Sequence, residues 1–566
     1  MTDATASTGA AWGDGRPTIA YFSMEIAIDD AIPTFSGGLG VLAGDHLMSS
    51  SDLGLPMVAV TLCYRKGYFT QRIDGRGQQD ELPVAWSPEA NLEPIGQTVG
   101  VEIAGREVLV GGWRHRLVGQ GGSELGILLL DTDVEGNDAE ARTITDQLYG
   151  GDEHHRLEQE IVLGIGGIAM LERLGYVELS RFHMNEGHSA LLALALVEAA
   201  REGGAPLDTA IEQARARCVF TTHTPVPAGH DRFDASLATN LLGPKRAGTL
   251  SELGLLEEGS LNMTELGLRL SGFANAVSLR HGDTARSMFP SASIRSVTNG
   301  VHVGRWAAPA IASLFDRFIP GWRADNALLH YASRIGLDEL DDAHRTAKKA
   351  LIGAVAARSS TELDPDALTI GLARRVTPYK QPTLLFSDLD RLSAISATAG
   401  PIQVVCSGKS HPRDDPGKAL IVRILEAADA LRGVVEVAFL EDYDLELASL
   451  LVAGTDLWLN TPSKPNEASG TSGMKAALNG VPSLSVLDGW WIEGCIEGVT
   501  GWSIGGEDSS SDAELLYDKL GQVVVPLFYS DGRGYLDVMR HAIGLNGSFF
   551  NTERMARQYA VAAYGL

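Results

Sequence analysis

One segment of the sequence combines the residue types and the spacing of an anion-binding helix start: EASGTSGMKAALNG at residues 467–480. Small and hydroxylic residues precede a predicted helix, so backbone N–H groups can approach a ligand closely. The free N–H groups and the dipole of a helix N-terminus favour an anion. Lys475 lies about one turn into this helix. An ordinary Ser/Thr cap with a surface lysine is the simpler alternative, and the spacing excludes a Walker A loop.

A second segment, GLARRVTPYKQPTLLF at residues 371–386, brings several cations together. A predicted strand ends in Arg374 and Arg375, and a proline-containing turn carries Tyr379 and Lys380 to the start of the next helix. Cations placed in this way would converge on one anion, and arginine offers a bidentate fork. The alternative is a pair of solvated basic residues.

Three further segments carry weaker signals. FSGGLGVLAGDHL at residues 35–47 has a glycine run before a predicted helix, which could cradle phosphate or only mark tight packing. His223 follows a predicted strand, and so do Asn185, Glu186 and His188. Residues at the carboxyl ends of strands face the ligand cleft of an α/β protein, although a lone histidine is more often structural.

A metal site is not predicted. GDEHHRLEQE at residues 151–160 places His154 and Glu158 one helical turn apart, but two candidates without a third ligand make a poor zinc site. The sequence contains no HExxH and no GxSxG motif. We expect a structural helix here.

Length, charge and cysteine usage limit the classes of function. The chain has 566 residues and a net charge of −26, so it should form two or more domains and is a poor candidate for nucleic-acid binding. Its four cysteines are far apart, without a CxxC pair, which fits a reducing cytoplasm. The N-terminal residues show no signal-peptide pattern, and no apolar run approaches the roughly 20 residues that span a bilayer. We expect a cytoplasmic protein without membrane or nucleic-acid partners.

The acidic residues avoid three windows. No Asp or Glu occurs at residues 31–44, 367–387 or 468–487, the windows that surround the glycine run, the arginine pair and Lys475. Because nearby charges count most where solvent is excluded, we expect a locally positive cleft within a negative exterior.

The elements that must position these residues alternate between short apolar runs and helical patterns. Continuous apolar strands with helices between them predict parallel sheets covered by helices. A helical stretch near residues 306–357 separates two such series, which suggests a boundary near residue 299 and two doubly wound domains. Helices are predicted at residues 383–395 and 445–452, among others. Predicted strands are residues 17–24, 55–64, 125–131, 217–222, 368–373, 402–406, 434–440, 456–459 and 484–487.

Together, these segments resemble those of the α-glucan phosphorylases, which act on glycogen, starch or maltodextrin, in the compact bacterial type of that family. The resemblance extends from AYFSMEI at residues 20–26 to FFNTERMARQY at residues 549–559. It implies an α/β fold of the GT-B glycosyltransferase type, with two doubly wound Rossmann-like domains facing a cleft. The implied units are an N-terminal glucan- and sugar-binding domain (1–299), a C-terminal pyridoxal-phosphate-binding domain (300–545) and a C-terminal helix (546–566) that crosses back to the first domain.

The motif matches also imply residue roles. The implied catalytic residues are His223, Arg375 and Lys380. The implied cofactor-binding residues are Lys475, Arg374, Tyr443, Thr471, Ser472 and Gly38, with pyridoxal 5′-phosphate bound covalently to Lys475 as a Schiff base. The implied substrate-binding residues are Gly37, Asn299, Tyr379, Glu467, Ser469 and Gly470. Thr377 replaces a histidine of the long forms and SGMK replaces GNMK, and neither change removes a group that the chemistry needs.

The resemblance implies reversible phosphorolysis of terminal α-1,4-linked glucosyl units by inorganic phosphate, giving α-D-glucose 1-phosphate with retention. The phosphate of the cofactor would act as acid and base. The implied partners are the glucan, phosphate or glucose 1-phosphate, and a second copy in a homodimer. Two alternatives stay open: a nucleotide-sugar-dependent glucan synthase, and a non-catalytic glucan-binding protein on the same fold. A glycosidase is disfavoured because no pair of carboxylates can be assigned to its acid and nucleophile roles.

Overall fold

The computed structural model describes residues 17–256, 259–506 and 510–566. The N-terminal stretch in which the sequence shows no signal-peptide pattern lies, up to residue 16, outside the described residues. Within the described residues, no helix is long and apolar enough to cross a membrane.

Strands and helices alternate along the described chain. The strands are β1 (Ile19–Ser23), β2 (Met57–Leu62), β3 (Thr70–Ile73), β4 (Gln79–Leu82), β5 (Glu93–Pro94), β6 (Val99–Ile103), β7 (Arg106–Val118), β8 (Glu124–Asp131), β9 (Arg181–Asn185), β10 (Cys218–Thr221), β11 (Arg232–Asp234), β12 (Ser260–Asn262), β13 (Phe273–Ala276), β14 (Ile294–Ser296), β15 (Leu368–Ala373), β16 (Ile402–Ser407), β17 (Glu436–Leu440), β18 (Leu457–Asn460), β19 (Ser483–Val486) and β20 (Gly501–Ile504). The α-helices are α1 (Gly38–Asp52), α2 (Pro88–Asn91), α3 (Glu153–Ile161), α4 (Gly167–Arg173), α5 (Leu191–Glu202), α6 (Leu207–Arg217), α7 (Ala235–Glu252), α8 (Met263–Arg269), α9 (Leu279–Met288), α10 (Val303–Trp306), α11 (Pro309–Phe318), α12 (Leu337–Arg358), α13 (Leu389–Ala399), α14 (Asp415–Leu431), α15 (Leu445–Gly454), α16 (Thr471–Leu478), α17 (Trp491–Gly494), α18 (Asp512–Lys519), α19 (Val525–Ser530), α20 (Gly532–His541) and α21 (Thr552–Tyr559).

The larger sheet has ten strands within the described chain, in the order β14-β13-β10-β9-β1-β2-β8-β7-β5, with β6 paired to β7. From β14 to β8 all neighbours are parallel. Both faces are covered: Ala20 and Phe22 of β1 pack into one apolar cluster, and Ile19 and Tyr21 pack into another. Burial on both faces explains why β1 reads as a continuous apolar run.

The smaller sheet has six described strands in the order β17-β16-β15-β18-β19-β20, all of them parallel. Its strands and the helices around them form one apolar core. The prediction of parallel sheets in a mixed α/β fold is therefore confirmed.

Two details differ from the sequence-based expectation. The larger sheet continues into antiparallel strands β7, β5 and β6. β6 and β7 are joined by Ala104 and Gly105, both at positive φ, as in the tight turn of a β-hairpin. The helix predicted at residues 383–395 is instead a short 3-10 turn followed by α13, because the side chain of Asp388 accepts a hydrogen bond from the Arg391 N–H and caps a new helix start.

The C-terminal helix α21 lies against the larger sheet and against α1. Met555 and Tyr559 share an apolar cluster with Ile19 of β1. The hydroxyl groups of Ser49 and Thr552 join α1 to α21 at 2.6 Å. The end of the described chain is thus packed onto its beginning.

Candidate active site

A cavity of about 960 Å³ lies where strands of both sheets end. Carboxyl ends of parallel strands meet at one edge of a sheet, and residues that follow β10 of the larger sheet and β15 and β18 of the smaller sheet line this cavity. All fifteen residues with an implied role line this cavity: His223, Arg375, Lys380, Lys475, Arg374, Tyr443, Thr471, Ser472, Gly38, Gly37, Asn299, Tyr379, Glu467, Ser469 and Gly470. The structure brings them together, while their individual roles remain predictions.

Lys475 is a buried amine in this wall. It lies on the second turn of α16, is 7% exposed, and its Nζ is 3.7 Å from the ring centroid of Trp306. No ion pair or hydrogen bond of this Nζ is found within the described chain. Burial lowers the pKa of Lys475 to about 8, against an ordinary value of 10.5. Such a group is a candidate for covalent chemistry with a carbonyl compound.

The start of α16 is open to an anion. The preceding residue, Gly470, has φ 83° and no side chain to cap the helix. The Ser469 hydroxyl is buried without a hydrogen-bond partner within the described residues. Ser472 contacts Trp458 through its hydroxyl at 3.2 Å, and Thr471 lines the cavity beside it. Uncapped N–H groups and an unsatisfied hydroxyl are the features of a phosphate cradle.

A carboxylate orders the cations that follow β15. Glu467 is 2.5 Å from Nζ of Lys380 and 3.6 Å from Nη2 of Arg374. Burial alone would raise the pKa of the Glu467 carboxyl, but the positive charges of Lys380 and Arg374 have the larger effect and hold that pKa below its ordinary value. Arg374 also donates to the Lys380 carbonyl at 3.0 Å. The ring centroid of Tyr379 lies 4.9 Å from Nζ of Lys380. The two cations are therefore fixed before a ligand arrives.

The glycine run before α1 also lines the cavity. Glu25 accepts hydrogen bonds from the N–H groups of Ser36 at 2.6 Å and Gly37 at 3.2 Å, which orders the loop before α1. A Cβ atom on Gly37 would lie 3.2 Å from Nη2 of Arg375. Gly37 thus lets the guanidinium pack closely on the loop, beside the free helix start at Gly38.

His223 is a neutral group at physiological pH. Burial lowers the pKa of its imidazole to about 4. Its Nε2 is 2.7 Å from Oδ1 of Asn185, and its backbone N–H donates to Glu186 at 2.6 Å. Asn185 is the last residue of β9 and Glu186 follows it, so the end of β9 orients a ring that follows the neighbouring strand β10. If that amide oxygen is the acceptor, Nε2 carries the proton and Nδ1 is an acceptor.

Asn299 and Tyr443 complete the wall. Asn299 is buried, and its backbone N–H donates to the Val277 carbonyl at 3.0 Å. Its side-chain amide makes no hydrogen bond to other described residues. Burial raises the pKa of the Tyr443 hydroxyl well above its ordinary value, so it stays protonated.

The sequence-based reasoning missed several cavity residues, of which Glu25 and Trp306 matter most. Glu25 comes two residues after β1. The argument that selected His223, its place just after a strand, would therefore also have selected Glu25. Trp306 gives no such signal, because only the tertiary structure places its ring on Lys475. Tyr149 also went unnoticed, and its hydroxyl donates to Glu25 at 2.9 Å.

The charge of the cavity differs from that of the whole chain. Among the described residues that line the cavity, eight are Arg or Lys and seven are Asp or Glu. The whole chain has 46 Arg or Lys residues against 72 Asp or Glu residues. Cations are therefore enriched, although carboxylates such as Glu467 are not excluded.

His154 and Glu158 lie on α3 and are 3.5 Å apart, and the described residues contain no group of three or more ligands that could hold a metal ion.

The fold and cavity define an α/β protein in which a buried lysine and several further cations line one cavity. Residues 244–500 match the model of the carbohydrate phosphorylases. The chain is 39% identical to the glycogen phosphorylase of Mycobacterium tuberculosis strain H37Rv, over 96% of this chain and 70% of the relative. It is 37% identical to the maltodextrin phosphorylase of Thermococcus litoralis, with the same coverage, and 35% identical to the glycogen phosphorylase of Aquifex aeolicus, over 96% and 85%. The chain belongs to the carbohydrate phosphorylase family.

Proposed function

We propose that this chain is an α-1,4-glucan phosphorylase. It would transfer terminal α-1,4-linked glucosyl units reversibly to inorganic phosphate and form α-D-glucose 1-phosphate with retained configuration. The observation that carries the proposal is one cavity lined by the buried Lys475 and by the cations Arg374, Arg375 and Lys380, in a chain whose relatives are named glycogen and maltodextrin phosphorylases.

The residues of the cavity fit pyridoxal 5′-phosphate. Lys475 offers an amine with a lowered pKa for covalent attachment, and the uncapped start of α16 with Thr471 and Ser472 suits a phosphate. Arg374 would bind that phosphate, and Tyr443 would lie near the ring. When bound, the cofactor supplies a phosphate that donates and accepts a proton next to the substrate phosphate.

Arg375 and Lys380 would hold the substrate phosphate. Two phosphates side by side require dense positive charge, which an arginine fork, an ammonium group and the start of α1 supply. Gly37 lets the fork approach, and Gly38 offers its N–H. Because Glu467 holds Lys380 in place before binding, little free energy is lost to the reorganisation of this ammonium group in the reaction.

The terminal glucosyl unit would lie between His223 and the loop before α16. A neutral imidazole and the free amide of Asn299 can bind hydroxyl groups without adding charge next to a cation-like transition state. Glu467, Ser469 and Gly470 would contact the sugar from the other side. Glu467 also keeps Lys380 in place.

The proposal extends to the architecture. We assign a GT-B arrangement with a sugar-binding domain at 1–299, a cofactor-binding domain at 300–545 and a returning helix at 546–566. The largely parallel larger sheet, the parallel smaller sheet, the cavity lined from both and the packing of α21 on α1 support it. We further propose a homodimer in the cytoplasm, a location supported by four free cysteines.

Purified protein and maltodextrin provide the test. The wild type should release glucose 1-phosphate only when phosphate is present. Arg375→Ala and Lys380→Ala should each lower that rate by at least about 100-fold, while the absorbance of bound cofactor stays. Lys349→Ala, at an exposed position of α12, is the control. Either cavity variant with wild-type activity, or glucan elongation from a nucleotide sugar without phosphate, would contradict the proposal.

A further inference from the structure

Asn299 is held in place by a residue from the far end of the chain. Nη2 of Arg554, on α21, donates to the backbone carbonyl of Asn299 at 3.0 Å. The N–H of Asn299 is taken by Val277, so both backbone groups are fixed. Only the side-chain amide is left for a ligand in the cavity.

Arg554 is itself rigidly placed. Its Nε donates to the Phe549 carbonyl at 3.0 Å, and its Nη1 donates to Oε1 of Gln558 at 3.2 Å. Each arm of the guanidinium thus has its own acceptor, a geometry that lysine cannot reproduce. Burial lowers the pKa of Arg554 and the negative charge of Glu493 opposes that shift, and Glu493 accepts a hydrogen bond from the hydroxyl of Thr298, the residue before Asn299, at 2.7 Å.

The backbone around Asn299 follows the C-terminal segment closely. Val301 donates to the Phe550 carbonyl and accepts from the Thr552 N–H. A Cβ atom on Gly300 would lie 2.2 Å from the Asn551 carbonyl carbon, so only glycine permits this approach. The position of Asn299 therefore depends on where the C-terminal segment lies.

We propose that Arg554 is a positioning residue for glucan binding, which acts through Asn299. This inference rests on the proposed function for its ligand. A hydroxyl group is recognised only by donors and acceptors that are held within a fraction of an ångström, so a shift of this carbonyl weakens the sugar contact. The phosphate contacts of Arg375 and Lys380 lie on another element and should not change.

The experiment compares the holoenzyme and its Arg554→Met and Arg554→Lys variants. Titration calorimetry with maltoheptaose gives the glucan Kd, and initial rates give KM for glucan and for phosphate. We expect Arg554→Met to raise the glucan Kd and the glucan KM about tenfold, a change of the size that the loss of one hydrogen bond produces. The phosphate KM should change less than about twofold. Arg554→Lys should fall between Met and wild type.

Two controls separate positioning from a general structural effect. Arg557→Met changes an exposed arginine on the same helix that pairs with Glu553, and it should bind maltoheptaose like the wild type. In an Asn299→Ala background, Arg554→Met should hardly change the glucan Kd further, because both substitutions act on the same contact, that of the Asn299 side chain with the glucan.

An unchanged glucan Kd in Arg554→Met would overturn the inference, as would fully additive effects in the Asn299→Ala background or an equal loss of phosphate affinity. The calorimetric comparison does not require catalysis. A wild type that binds maltoheptaose but releases no glucose 1-phosphate would therefore refute the proposed function while the role of Arg554 is still measured.

Discussion

Lys475 should react as a neutral amine near physiological pH. Its pKa of about 8 lies below the ordinary 10.5 because the side chain is buried. At pH 7 this shift raises the neutral fraction from about 0.03% to about 9%, roughly 300-fold, which corresponds to about 3.4 kcal/mol. The nearby Asp45 opposes the shift and Arg305 adds to it.

The sign of the effect on folding follows from the same values. Because the pKa is lower in the folded chain, burial of the protonated lysine costs free energy below pH 8. This cost disappears as the pH rises from about 8 to about 10.5, since the unfolded chain then binds more protons than the folded one. Covalent attachment of a carbonyl compound at Lys475 removes the same cost at lower pH.

Pulse acylation of the cofactor-free chain measures the titration directly. Acylating reagents attack only the neutral amine, and mass spectrometry of the peptide that contains Lys475 gives the rate at each pH. We expect a half-maximal rate near pH 8. Nα-acetyl-lysine amide in the same reaction provides the ordinary profile. If Lys475 and the reference compound titrate together, burial does not tune this lysine and the reasoning fails.

Two further changes probe the cavity wall and the core. Gly37→Ala puts a methyl group 3.2 Å from Nη2 of Arg375, while the extended backbone at this position accepts alanine. The displaced guanidinium should raise the phosphate KM about tenfold, or about 1.4 kcal/mol. An unchanged phosphate KM would mean that Arg375 does not bind phosphate. Lys348→Met removes the ammonium 2.7 Å from the buried Asp456 carboxylate and should lower the free energy of unfolding by about 3–5 kcal/mol in urea titrations. The exposed Lys349→Met should change it by less than about 0.5 kcal/mol, and equal effects would contradict the role of the buried pair.

Strands that are buried on both faces were predictable from the sequence. β15 is fully buried and has the bounds that its apolar run predicts. The antiparallel strand β7 was missed, because most of its residues are exposed or only partly buried and it lies towards the edge of the sheet, so it lacks a continuous apolar run. The break before α13 depends on the cap at Asp388, a single hydrogen bond inside an otherwise helical pattern.

The candidate site was predictable where motifs follow strands. His223 and Arg374 each follow a parallel strand, β10 in the larger sheet and β15 in the smaller one, and the carboxyl ends of both strands lie at the cavity. The contacts that fix these groups were not predictable. Arg554 reaches Asn299 across 255 residues of sequence, and no local pattern in either segment indicates the other.

The return of α21 to the first sheet has a consequence for synthesis on the ribosome. Asn299 emerges 255 residues before the arginine that holds it, which at about 5–20 residues per second is a delay of roughly 13–50 s. During that interval the larger sheet exposes the apolar face that Met555 and Tyr559 later cover. Under the proposed roles of Asn299 and Arg554, the nascent chain therefore lacks the arginine that positions Asn299 until α21 has been made, and glucan binding through Asn299 follows the synthesis of that helix.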